Sequence, residues 1–473
     1  MITRNTKIIC TIGPSTTGVE QLVNLINKGM DAARLNFSHG RHEDHLYTIK
    51  NIREASIITN KQIPILQDLQ GPKIRTGLLE NNEVLLNDGD KFIITTDDLP
   101  LGNNEKVSTS YKQLSLELKA GNTILLDDGY IILNVDKVVN SDIFTTVVKG
   151  GILKNNKGII APGVSSLAPS LSEKDIEDLK FGLAHGIDAV ALSFVRSERD
   201  ILELKTAMKI FKRVVPVIAK IERYEGIEDI EDIIAESEGI MVARGDLGLE
   251  LPPENVPILQ KQIIERCNYY GKPVIIATQM LESMINNPRP TRAEASDVAN
   301  AVIDGADCVM LSGETSVGKY PFDAVDYMNR IIKTVEEKYC KYLSNPNKEY
   351  HRTNEVADAM GKAANIVTNQ LNAVAIICVT NSGYTPLQIA KYRPNTPIYA
   401  FTNNVHTLKQ LVLSRGIFPV HITKDIDQII HTDEIVDILK KICDFKVNDK
   451  IVFLSGLSEG NDKENYLKII TID

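Results

Sequence analysis

Eight short runs rich in valine, isoleucine and leucine follow one another along the chain, and most are separated by segments of helical periodicity. They lie at Lys7–Ile12, Ala32–Phe37, Ile63–Asp68, Asp188–Phe194, Val214–Lys220, Gly239–Ala243, Lys272–Thr278 and Asp307–Ser312. Short apolar runs of this kind are typical of strands buried on both faces, and intervening helices favour a parallel sheet. Eight such units predict an α/β fold, a (β/α)₈ TIM barrel whose functional groups lie at the carboxyl ends of its strands.

One interval interrupts this rhythm, because about 120 residues separate the third run from the fourth. Within it, residues 73–164 show alternating strand patterns and turn signals such as Asp127-Asp128-Gly129. The predicted strands are Glu83–Leu86, Lys91–Thr95, Thr123–Leu126, Ile131–Val135 and Phe144–Val148. We predict a small β-barrel domain inserted at the catalytic face, where it can act as a lid that excludes water.

A second α/β pattern occupies residues 355–473, after a polar linker at Leu343–Asn347. Its predicted strands, Val374–Thr380, Pro397–Phe401, Phe418–Ile422 and Lys450–Leu454, alternate with helices, which favours a doubly wound sheet. The predicted domains are therefore a barrel of residues 1–72 and 165–342, a lid of residues 73–164, and a C-terminal domain of residues 355–473.

Charge and cysteine usage narrow the possible partners and location. The net charge of −9 argues against nucleic acid and anionic membranes, but phosphorylated substrates need only a local positive pocket. Met1–Pro14 has no apolar export signal, and no run of about 18 apolar residues could span a membrane. The six cysteines are scattered without a C-x-x-C pair, which is typical of reduced thiols. A cytoplasmic location is expected.

Polar residues follow six of the eight predicted strands. In chain order these segments are Arg34–His39, Asp68–Arg75, Lys220–Glu222, Gly245–Asp246, Thr278 and Ser312–Thr315. Because the strand ends share one rim, their cations, carboxylates and hydroxyls are expected to converge there. Each residue alone could belong to a structural ion pair, but the set as a whole predicts a site for phosphate and a metal ion.

The residue types suggest separate roles within this set. Glu222 and Asp246 suit Mg²⁺, which prefers one or two carboxylates and takes its remaining ligands from substrate and water. Lys220 could offset charge on a transferring phosphoryl group. The turn after Arg244 could present the amides of Gly245 and Asp246 to a substrate carboxylate.

Two weaker patterns carry alternative interpretations. The three-residue spacing of His39, His42 and His45 could indicate metal ligands, but a polar loop that enters a helix explains it better. The segment Thr380–Thr385 follows a predicted strand and could cradle a phosphate, although a plain turn at Gly383 explains it equally well.

Beyond these patterns, the chain resembles the pyruvate kinase family over essentially its whole length. The similar segments are Lys7–Ser15, Ala33–Gly40, Gly71–Gly77, Ser193–Val195, Lys220–Glu222, Met241–Gly248, Ala277–Met284, Arg289–Glu294 and Met310–Thr315. The resemblance implies phosphoryl transfer between phosphoenolpyruvate and ADP, giving pyruvate and ATP in the last step of glycolysis, with Mg²⁺ or Mn²⁺ on Glu222 and Asp246. It also implies a transition-state role for Lys220.

The resemblance further implies a division of the rim between the two substrates. On the phosphoenolpyruvate side, Arg34 would bind the phosphate, the amides of Gly245 and Asp246 the carboxylate, and Thr278 would face the methylene carbon, with Ser312 in a proton relay. On the nucleotide side, the residues implied are Asn36, His39, Arg75 and Lys157.

Two positions depart from the members of the family that require K⁺. Those members carry Glu where this chain has Lys73, and Thr where it has Leu69. Asn36, Ser38, Asp68 and the Leu69 carbonyl still match the monovalent-cation pocket. An ammonium beside this pocket would supply the charge of K⁺, so activity without K⁺ is expected.

The C-terminal domain resembles the effector-binding module of the family. Its effector loop would consist of Thr380, Asn381, Ser382, Gly383 and Thr385, with Tyr384 where many members have a basic residue. The loop Leu457–Asp462 lacks the basic residues that favour a sugar bisphosphate. An effector with a single phosphate group, or no effector, is expected. The family resemblance also suggests a homotetramer.

Two other functions remain open at this point. A metal-dependent lyase of the phosphoenolpyruvate/pyruvate barrel superfamily would share the Mg²⁺ site, but the lid favours a nucleotide-binding kinase. A catalytically silent metabolite sensor would be expected to lose Lys220, Glu222 or Asp246, and all three are present.

Overall fold

The computed structural model describes residues 4–164, 168–339, 349–352, 354–423, 432–455 and 466–473. Two segments considered above, the linker Leu343–Asn347 and the loop Leu457–Asp462, lie outside these residues.

The first described segment begins with alternating strands and helices. They are β1 (Lys7–Thr11), α1 (Val19–Lys28), β2 (Ala32–Asn36), α2 (His42–Thr59) and β3 (Ile65–Asp68). Helix α1 ends where Gly29 adopts a φ of 128°, a conformation that favours glycine.

The inserted segment folds as β structure around its own core. Its elements are β4 (Glu83–Leu86), β5 (Lys91–Thr95), β6 (Lys106–Ser108), α3 (Leu114–Glu117), β7 (Thr123–Leu126), β8 (Ile131–Val139), β9 (Asp142–Lys149), β10 (Gly151–Lys154) and β11 (Ile159–Ile160). One sheet has the order β11-β7-β8-β9-β5-β6, and β10 pairs with β4. Buried residues such as Phe92, Ile124 and Leu133 form a cluster separate from that of the main barrel.

The chain then resumes the strand–helix alternation. The elements are α4 (Glu173–Ala184), β12 (Ala189–Leu192), α5 (Glu198–Ile210), β13 (Val217–Ile221), α6 (Tyr224–Glu228), α7 (Ile230–Glu236), β14 (Gly239–Ala243), α8 (Arg244–Glu250), α9 (Val256–Tyr270), β15 (Val274–Ala277), α10 (Arg292–Asp304), β16 (Cys308–Leu311), α11 (Gly313–Ser316) and α12 (Pro321–Tyr339). Short 3₁₀ turns lie at Glu80–Asn82, Pro253–Asn255 and Glu282–Ile285.

Eight of these strands close into a parallel barrel in the order β1-β16-β15-β14-β13-β12-β3-β2. Alternate residues of each strand serve two cores: Ile8 and Cys10 pack toward the helices, whereas Ile9 belongs to the cluster inside the barrel. This double burial explains why the strands appear in the sequence as continuous apolar runs. The predicted (β/α)₈ barrel with an inserted β domain is confirmed.

The C-terminal domain is a five-stranded sheet with helices. Its elements are α13 (Glu355–Leu371), β17 (Ala375–Val379), α14 (Tyr384–Ala390), β18 (Ile398–Thr402), α15 (Val405–Leu411), β19 (Ile417–His421), α16 (Thr432–Ile442), β20 (Lys450–Ser455) and β21 (Tyr466–Thr471). The order is β19-β18-β17-β20-β21, and separate apolar clusters lie on the two faces. The α/β class is confirmed, and β21, an antiparallel edge strand, was not predicted.

This domain covers the amino-terminal end of the barrel. Leu413 joins the apolar cluster inside the barrel, and Arg393 makes two bonds of 2.8 and 2.9 Å to Asp307, which directly precedes β16. Lys7 at the start of β1 donates to the carbonyl of Ile417 at 2.8 Å. These contacts leave the carboxyl ends of the strands, where the predicted site lies, on the other side of the barrel.

None of the helices among the described residues is long and apolar enough to cross a membrane. Of the described cysteines, Cys10, Cys267, Cys308 and Cys378 are buried as free thiols, and Cys443 is partly buried.

Lys7, where the C-terminal domain meets the barrel, should make the free energy of unfolding depend on pH. Burial lowers the pKa of Lys7 to about 8, against the opposing effect of Asp31. Between pH 8 and about 10.5 the unfolded chain binds the extra proton, so stability should rise with pH. We expect the unfolding free energy of the wild type to gain up to about 3 kcal/mol over Lys7→Met across this interval, measured by urea titration. Parallel pH curves for the two proteins would contradict this expectation.

Candidate functional site

The carboxyl end of the barrel interior carries a layer of polar side chains. Along each strand, inward-facing residues recur at every second position. Ile218 lies inside the barrel, so Lys220 follows on the same face; Leu66 and Ala32 likewise precede Asp68 and Arg34. Two residues further along each of these strands, the apolar layer inside the barrel is therefore followed by a polar layer at the carboxyl end.

Lys220 is the centre of this polar layer. Its Nζ lies 3.1 Å from Asp68 Oδ1 and 3.0 Å from Glu222 Oε1, and it donates to Ser193 Oγ at 2.6 Å. Burial disfavours the charged ammonium, but the carboxylates of Asp68 and Glu222 outweigh burial and raise the pKa of Lys220 well above its ordinary value. The side chain thus remains a fixed positive charge over the working range of pH.

Asp68 joins Lys220 to Arg34 on the neighbouring strand. Arg34 Nε donates to Asp68 Oδ2 at 2.6 Å, and its Nη1 donates to Thr11 Oγ1 at 3.0 Å. Burial alone would raise the pKa of Asp68, but Lys220 and Arg34 together lower it. Both carboxylate oxygens of this predicted cation-pocket residue are therefore engaged by cationic side chains.

Glu222 and Asp246 bring two carboxylates into the electrostatic neighbourhood of Lys220. Glu222 is almost fully buried, and its Oε2 accepts the backbone N–H of Phe194 at 2.7 Å. Phe194 adopts a φ of 57°, an uncommon conformation for a bulky residue, to present this N–H. Burial and the charge of Asp246 raise the pKa of Glu222, against the effect of Lys220.

This pair of carboxylates suits a divalent cation. The charge of Asp246 disfavours ionised Glu222, and a bound dication would reverse that penalty. No group of three or more His, Cys, Asp or Glu side chains among the described residues is arranged to hold a metal ion. A cation on Glu222 and Asp246 would therefore draw its other ligands from substrate and water, as Mg²⁺ commonly does.

Thr278 and Gly245 meet across the ends of β15 and β14. Thr278 has a φ of 65°, which is unfavourable for a β-branched residue, and its Oγ1 accepts the N–H of Gly245 at 2.8 Å. Arg244 holds the turn, because its Nη2 donates to the Thr278 carbonyl at 2.7 Å and its Nη1 to Asp297 Oδ2 at 2.6 Å. The predicted proton-relay and carboxylate-binding positions are thus adjacent.

Ser312 follows β16 at the same rim. Its N–H donates to Glu314 Oε2 at 2.7 Å, whereas its buried hydroxyl has no hydrogen-bond partner among the described residues. A buried hydroxyl without a partner is costly, and a bound water or substrate would relieve this cost.

The predicted nucleotide residues lie at the base of the lid and on the barrel rim. Burial, followed by the charges of Arg75, Lys73 and Arg34, lowers the pKa of His39. Arg75 donates to the carbonyl of Asn156 at 3.0 Å. These neighbouring cations make a positive region that suits a polyphosphate.

Three of the predicted residues have their own partners in the structure. Lys157 pairs with Asp127 at 2.7 Å within the lid. Asn36 Oδ1 accepts the N–H of Ser38 at 3.1 Å, so these two members of the predicted cation pocket bond to each other.

Lys73 lines the cleft between lid and barrel, together with Phe194, Asp246 and Glu250. Its side chain passes close to Gly158. A Cβ atom placed on Gly158 would lie 3.5 Å from Lys73 Cε. Within the described part of the chain, no ion pair shorter than 4.0 Å joins Lys73 to Asp68, whose cationic partners are Arg34 and Lys220.

The histidines near the start of α2 are engaged in packing. His42 contacts Asp178 at 2.7 Å and stacks on Phe181, and His45 stacks on Phe37 with ring centroids 3.9 Å apart. These contacts support the interpretation of a polar loop entering a helix, which begins at His42.

The predicted effector loop joins β17 to α14. Gly383 has a φ of 85°, and its N–H donates to Thr380 Oγ1 at 2.9 Å. The carbonyl of Asn381 accepts from Thr407 Oγ1 at 2.6 Å, and the side chain of Thr385 is buried. Ser382 Oγ accepts the N–H of Tyr384 at 3.4 Å, so the loop satisfies much of its own hydrogen bonding.

Two members of the polar layer were missed from the sequence. Thr11 ends β1 and accepts from Arg34, and Ser193 follows β12 and donates to the Leu69 carbonyl at 2.7 Å. They lie at the ends of the first and fourth predicted strands, the two strand ends from which no site residue was predicted. Including all eight strand ends would have found them.

Comparisons with known proteins agree with this geometry. The family model described as "Pyruvate kinase, barrel domain" matches residues 3–325, and that described as "Pyruvate kinase, alpha/beta domain" matches residues 358–470. A pyruvate kinase from Geobacillus stearothermophilus is 44% identical over 479 residues, covering 99% of this chain and 80% of the relative. One from Mycobacterium tuberculosis is 44% identical over 461 residues, covering 97% and 96%. The crystal structure of a pyruvate kinase from Cryptosporidium parvum aligns with a TM-score of 0.93 and 39% identity, covering 99% of this chain and 96% of that chain.

Arg244 provides a test of how the Thr278 turn is held. Arg244→Lys keeps the charge, but one ammonium cannot span both Asp297 and the Thr278 carbonyl, so a buried acceptor is left unpaired. We expect a loss of about 1–3 kcal/mol in unfolding free energy by urea titration. Arg330→Lys, which alters an exposed pair with Asp326, should cost about 0.5 kcal/mol or less. Equal losses in the two variants would contradict this role of Arg244.

Proposed function

The chain belongs to the pyruvate kinase family, and from this premise we propose how its own residues carry out the reaction. The protein is a phosphotransferase that moves the phosphoryl group of phosphoenolpyruvate to ADP. An oxygen of the ADP β-phosphate forms the new P–O bond while the bond to the enolpyruvate oxygen breaks. The enolate that remains takes a proton at its methylene carbon and becomes pyruvate. The observation that best supports this mechanism is the buried Lys220, which is anchored by Asp68, Glu222 and Ser193 beside Asp246.

Glu222 and Asp246 would hold the divalent cation, Mg²⁺ or Mn²⁺. When bound, the cation supplies positive charge beside the substrate oxygens. Glu222 is kept in place by Lys220 and by the N–H of Phe194, and Asp246 lies in the first turn of α8. The amide of Asp246 at that helix start would receive the carboxylate of phosphoenolpyruvate, together with the amide of Gly245 once it exchanges Thr278 Oγ1 for the substrate.

Lys220 and Arg34 would bind the transferring phosphoryl group. The raised pKa of Lys220 keeps it protonated, so it acts as a fixed charge that stabilises the transition state rather than as an acid. Asp68 orients both cations, since it bonds to each of them. The hydroxyls of Thr278 and Ser312 would hold the water that delivers the proton to the enolate.

The lid would cover the nucleotide. Four residues are proposed to contact the phosphates of ADP and ATP. They are Arg75 at the base of the lid, His39 and Asn36 on the barrel rim, and Lys157 on the lid. Lys157 would have to exchange its partner Asp127 for phosphate.

Lys73 would replace a monovalent cation. The proposed pocket consists of Asn36, Ser38, Asp68 and the Leu69 carbonyl. Movement of the Lys73 ammonium toward it would supply the charge that K⁺ supplies elsewhere in the family.

Several broader properties are proposed on the family resemblance. They are a homotetrameric assembly, a cytoplasmic location in glycolysis, and regulation by a phosphorylated monophosphate at Thr380–Thr385 if an effector exists. The loop Thr380–Thr385 carries no basic side chain, which favours a monophosphate over a bisphosphate.

Replacing Lys220 tests the mechanism. Lys220→Met should lower kcat by several orders of magnitude, of which the loss of one transition-state donor accounts for about 10²–10³. Binding of Mn²⁺ and phosphoenolpyruvate, measured by titration, should persist. Lys205→Met is a matched control, because Lys205 also pairs with two carboxylates at 3.0 Å but lies on the outer helix α5. Full turnover in Lys220→Met, or equal loss in Lys205→Met, would contradict the mechanism.

The dependence on K⁺ tests the role of Lys73. The wild type should turn over in buffer free of Na⁺ and K⁺, and added K⁺ should change the rate little. Lys73→Glu should make the rate depend on K⁺, because the ammonium is replaced by an anionic ligand. Lys154→Glu, at an exposed position of the lid, should behave like the wild type. A wild-type rate that collapses without K⁺ and returns with it would overturn this role.

A further inference from the structure

A buried ion cluster joins the exit of the lid to the barrel rim. Arg223 Nε lies 3.5 Å from both Glu225 Oε2 and Glu250 Oε1. Arg223 Nη2 donates to the carbonyl of Val164 at 3.1 Å, and the backbone amide of Gly163 is close enough to Glu250 to favour its ionised form. One cluster of side chains on the barrel therefore faces two successive residues of the segment by which the chain leaves the lid.

The same residues are connected directly to the two carboxylates proposed for the metal ion. Arg223 is the next residue after Glu222, and Glu250 ends the helix whose first turn carries Asp246. Helix α8 has seven residues and is about 10 Å long, so its two ends move as one body. A displacement of the lid exit would be transmitted to both carboxylate segments.

A second contact places the lid on the same helix. An added Cβ at Gly129, in the lid turn after Asp127, would stand 3.3 Å from Leu249 Cδ2. The lid thus rests on the last turn of α8 at Leu249 and Glu250. Residues of both bodies, including Asp128 from the lid and Asp246 from the barrel, line the cleft between them.

The cluster is poorly suited to a purely stabilising role. One guanidinium faces two carboxylates, and three buried atoms, Arg223 Nε, Glu225 Oε1 and Glu250 Oε2, have no hydrogen-bond partner in the described part of the chain. Burial, together with Glu225 and Asp246, raises the pKa of Glu250 to about 7 against the effects of Arg223 and the Gly163 amide. Besides Arg223 and Glu250 themselves, the charged groups that line the adjacent cleft are Lys73, Glu117, Asp128 and Asp246. Burial of excess negative charge costs stability, and such costs are commonly retained where geometry serves function.

We propose that Arg223 and Glu250 are positioning residues that fix the lid relative to Glu222 and Asp246, so that the nucleotide is aligned with the phosphoryl group it receives. This inference rests on the proposed function for the identity of the nucleotide. Arg223 and Glu250 do not touch the reacting atoms. They act through the Gly163–Val164 segment, whose position determines where the lid residues lie over the barrel mouth.

Glu250→Gln tests this role in the full-length protein. The amide keeps the size of the side chain but no longer forms an ion pair with Arg223, so the lid exit should be held less firmly. We expect KM for ADP to rise about tenfold, which corresponds to 1.4 kcal/mol, with KM for phosphoenolpyruvate unchanged. Because a buried charge is removed, the unfolding free energy at pH 8 should stay the same or increase.

Two further variants complete the test. Arg223→Lys keeps a cation but cannot reach Val164 and both carboxylates, and should raise KM for ADP as well. If the two residues act as one unit, the double variant should cost no more than the larger single change. Glu231→Gln, which removes an ion pair with Arg266 on the outside of the barrel, is the matched control and should leave both KM values unchanged.

Hydrogen exchange provides a measurement that does not need turnover. ADP should protect the amides of Gly163 and Val164 in the wild type and less so in Glu250→Gln. The proposal is overturned if Glu250→Gln loses stability while KM for ADP is unchanged, or if KM rises equally for both substrates. It is also overturned if exchange at Gly163 does not respond to ADP in a protein that binds ADP. An inactive wild type that still shows this protection would refute the proposed function and leave the positioning role supported.

Discussion

The buried contact between Lys220 and Asp68 is the interaction on which the barrel mouth depends. An ammonium at this depth is tolerated only because carboxylates from β3 and from the end of β13 surround it. Asp68 in turn draws Arg34 inward from β2, so three strands contribute to one network. Two cations here face three carboxylates when Asp246 is included. This excess of negative charge suits a divalent cation, which would in turn favour an anionic substrate.

The two ends of the barrel serve different purposes. At the amino-terminal end, Leu413 completes the apolar interior and Arg393 satisfies Asp307, so the C-terminal domain seals the barrel and contributes to its stability. At the carboxyl end, costly features are retained: Phe194 and Thr278 both have positive φ values, and the hydroxyl of Ser312 has no hydrogen-bond partner among the described residues. Such features are costly and are characteristic of sites that bind ligands. The stability gained at the amino-terminal end of the barrel offsets the cost of these features at the carboxyl end.

Periodicity was sufficient to predict the barrel, because strands buried on both faces must be apolar throughout, and the strand ends then located Lys220, Glu222 and Asp246. It was not sufficient for β21, an edge strand with the exposed residues Lys468 and Ile469, which lacks that signature. Thr11 and Ser193 were missed because the predicted set took residues from only six of the eight strand ends. The domain boundaries and the individual site roles remain predictions. Contacts such as Arg223 with Val164 join residues far apart in sequence, and no local pattern encodes them.

Helix α8 explains why a lid on this barrel need not be an independent body. Its first turn presents Gly245 and Asp246 to the mouth, and its last turn presents Leu249 and Glu250 to the lid. A helix of two turns has no internal hinge, so the lid cannot shift against Glu250 without stressing the position of Asp246. Since Arg223, the residue after Glu222, also pairs with Glu250 on this helix, the proposed positioning role makes closure of the lid and the spacing of the two carboxylates parts of one mechanical arrangement. On the proposed function, the lid would therefore act on the chemistry through geometry as well as through the exclusion of water.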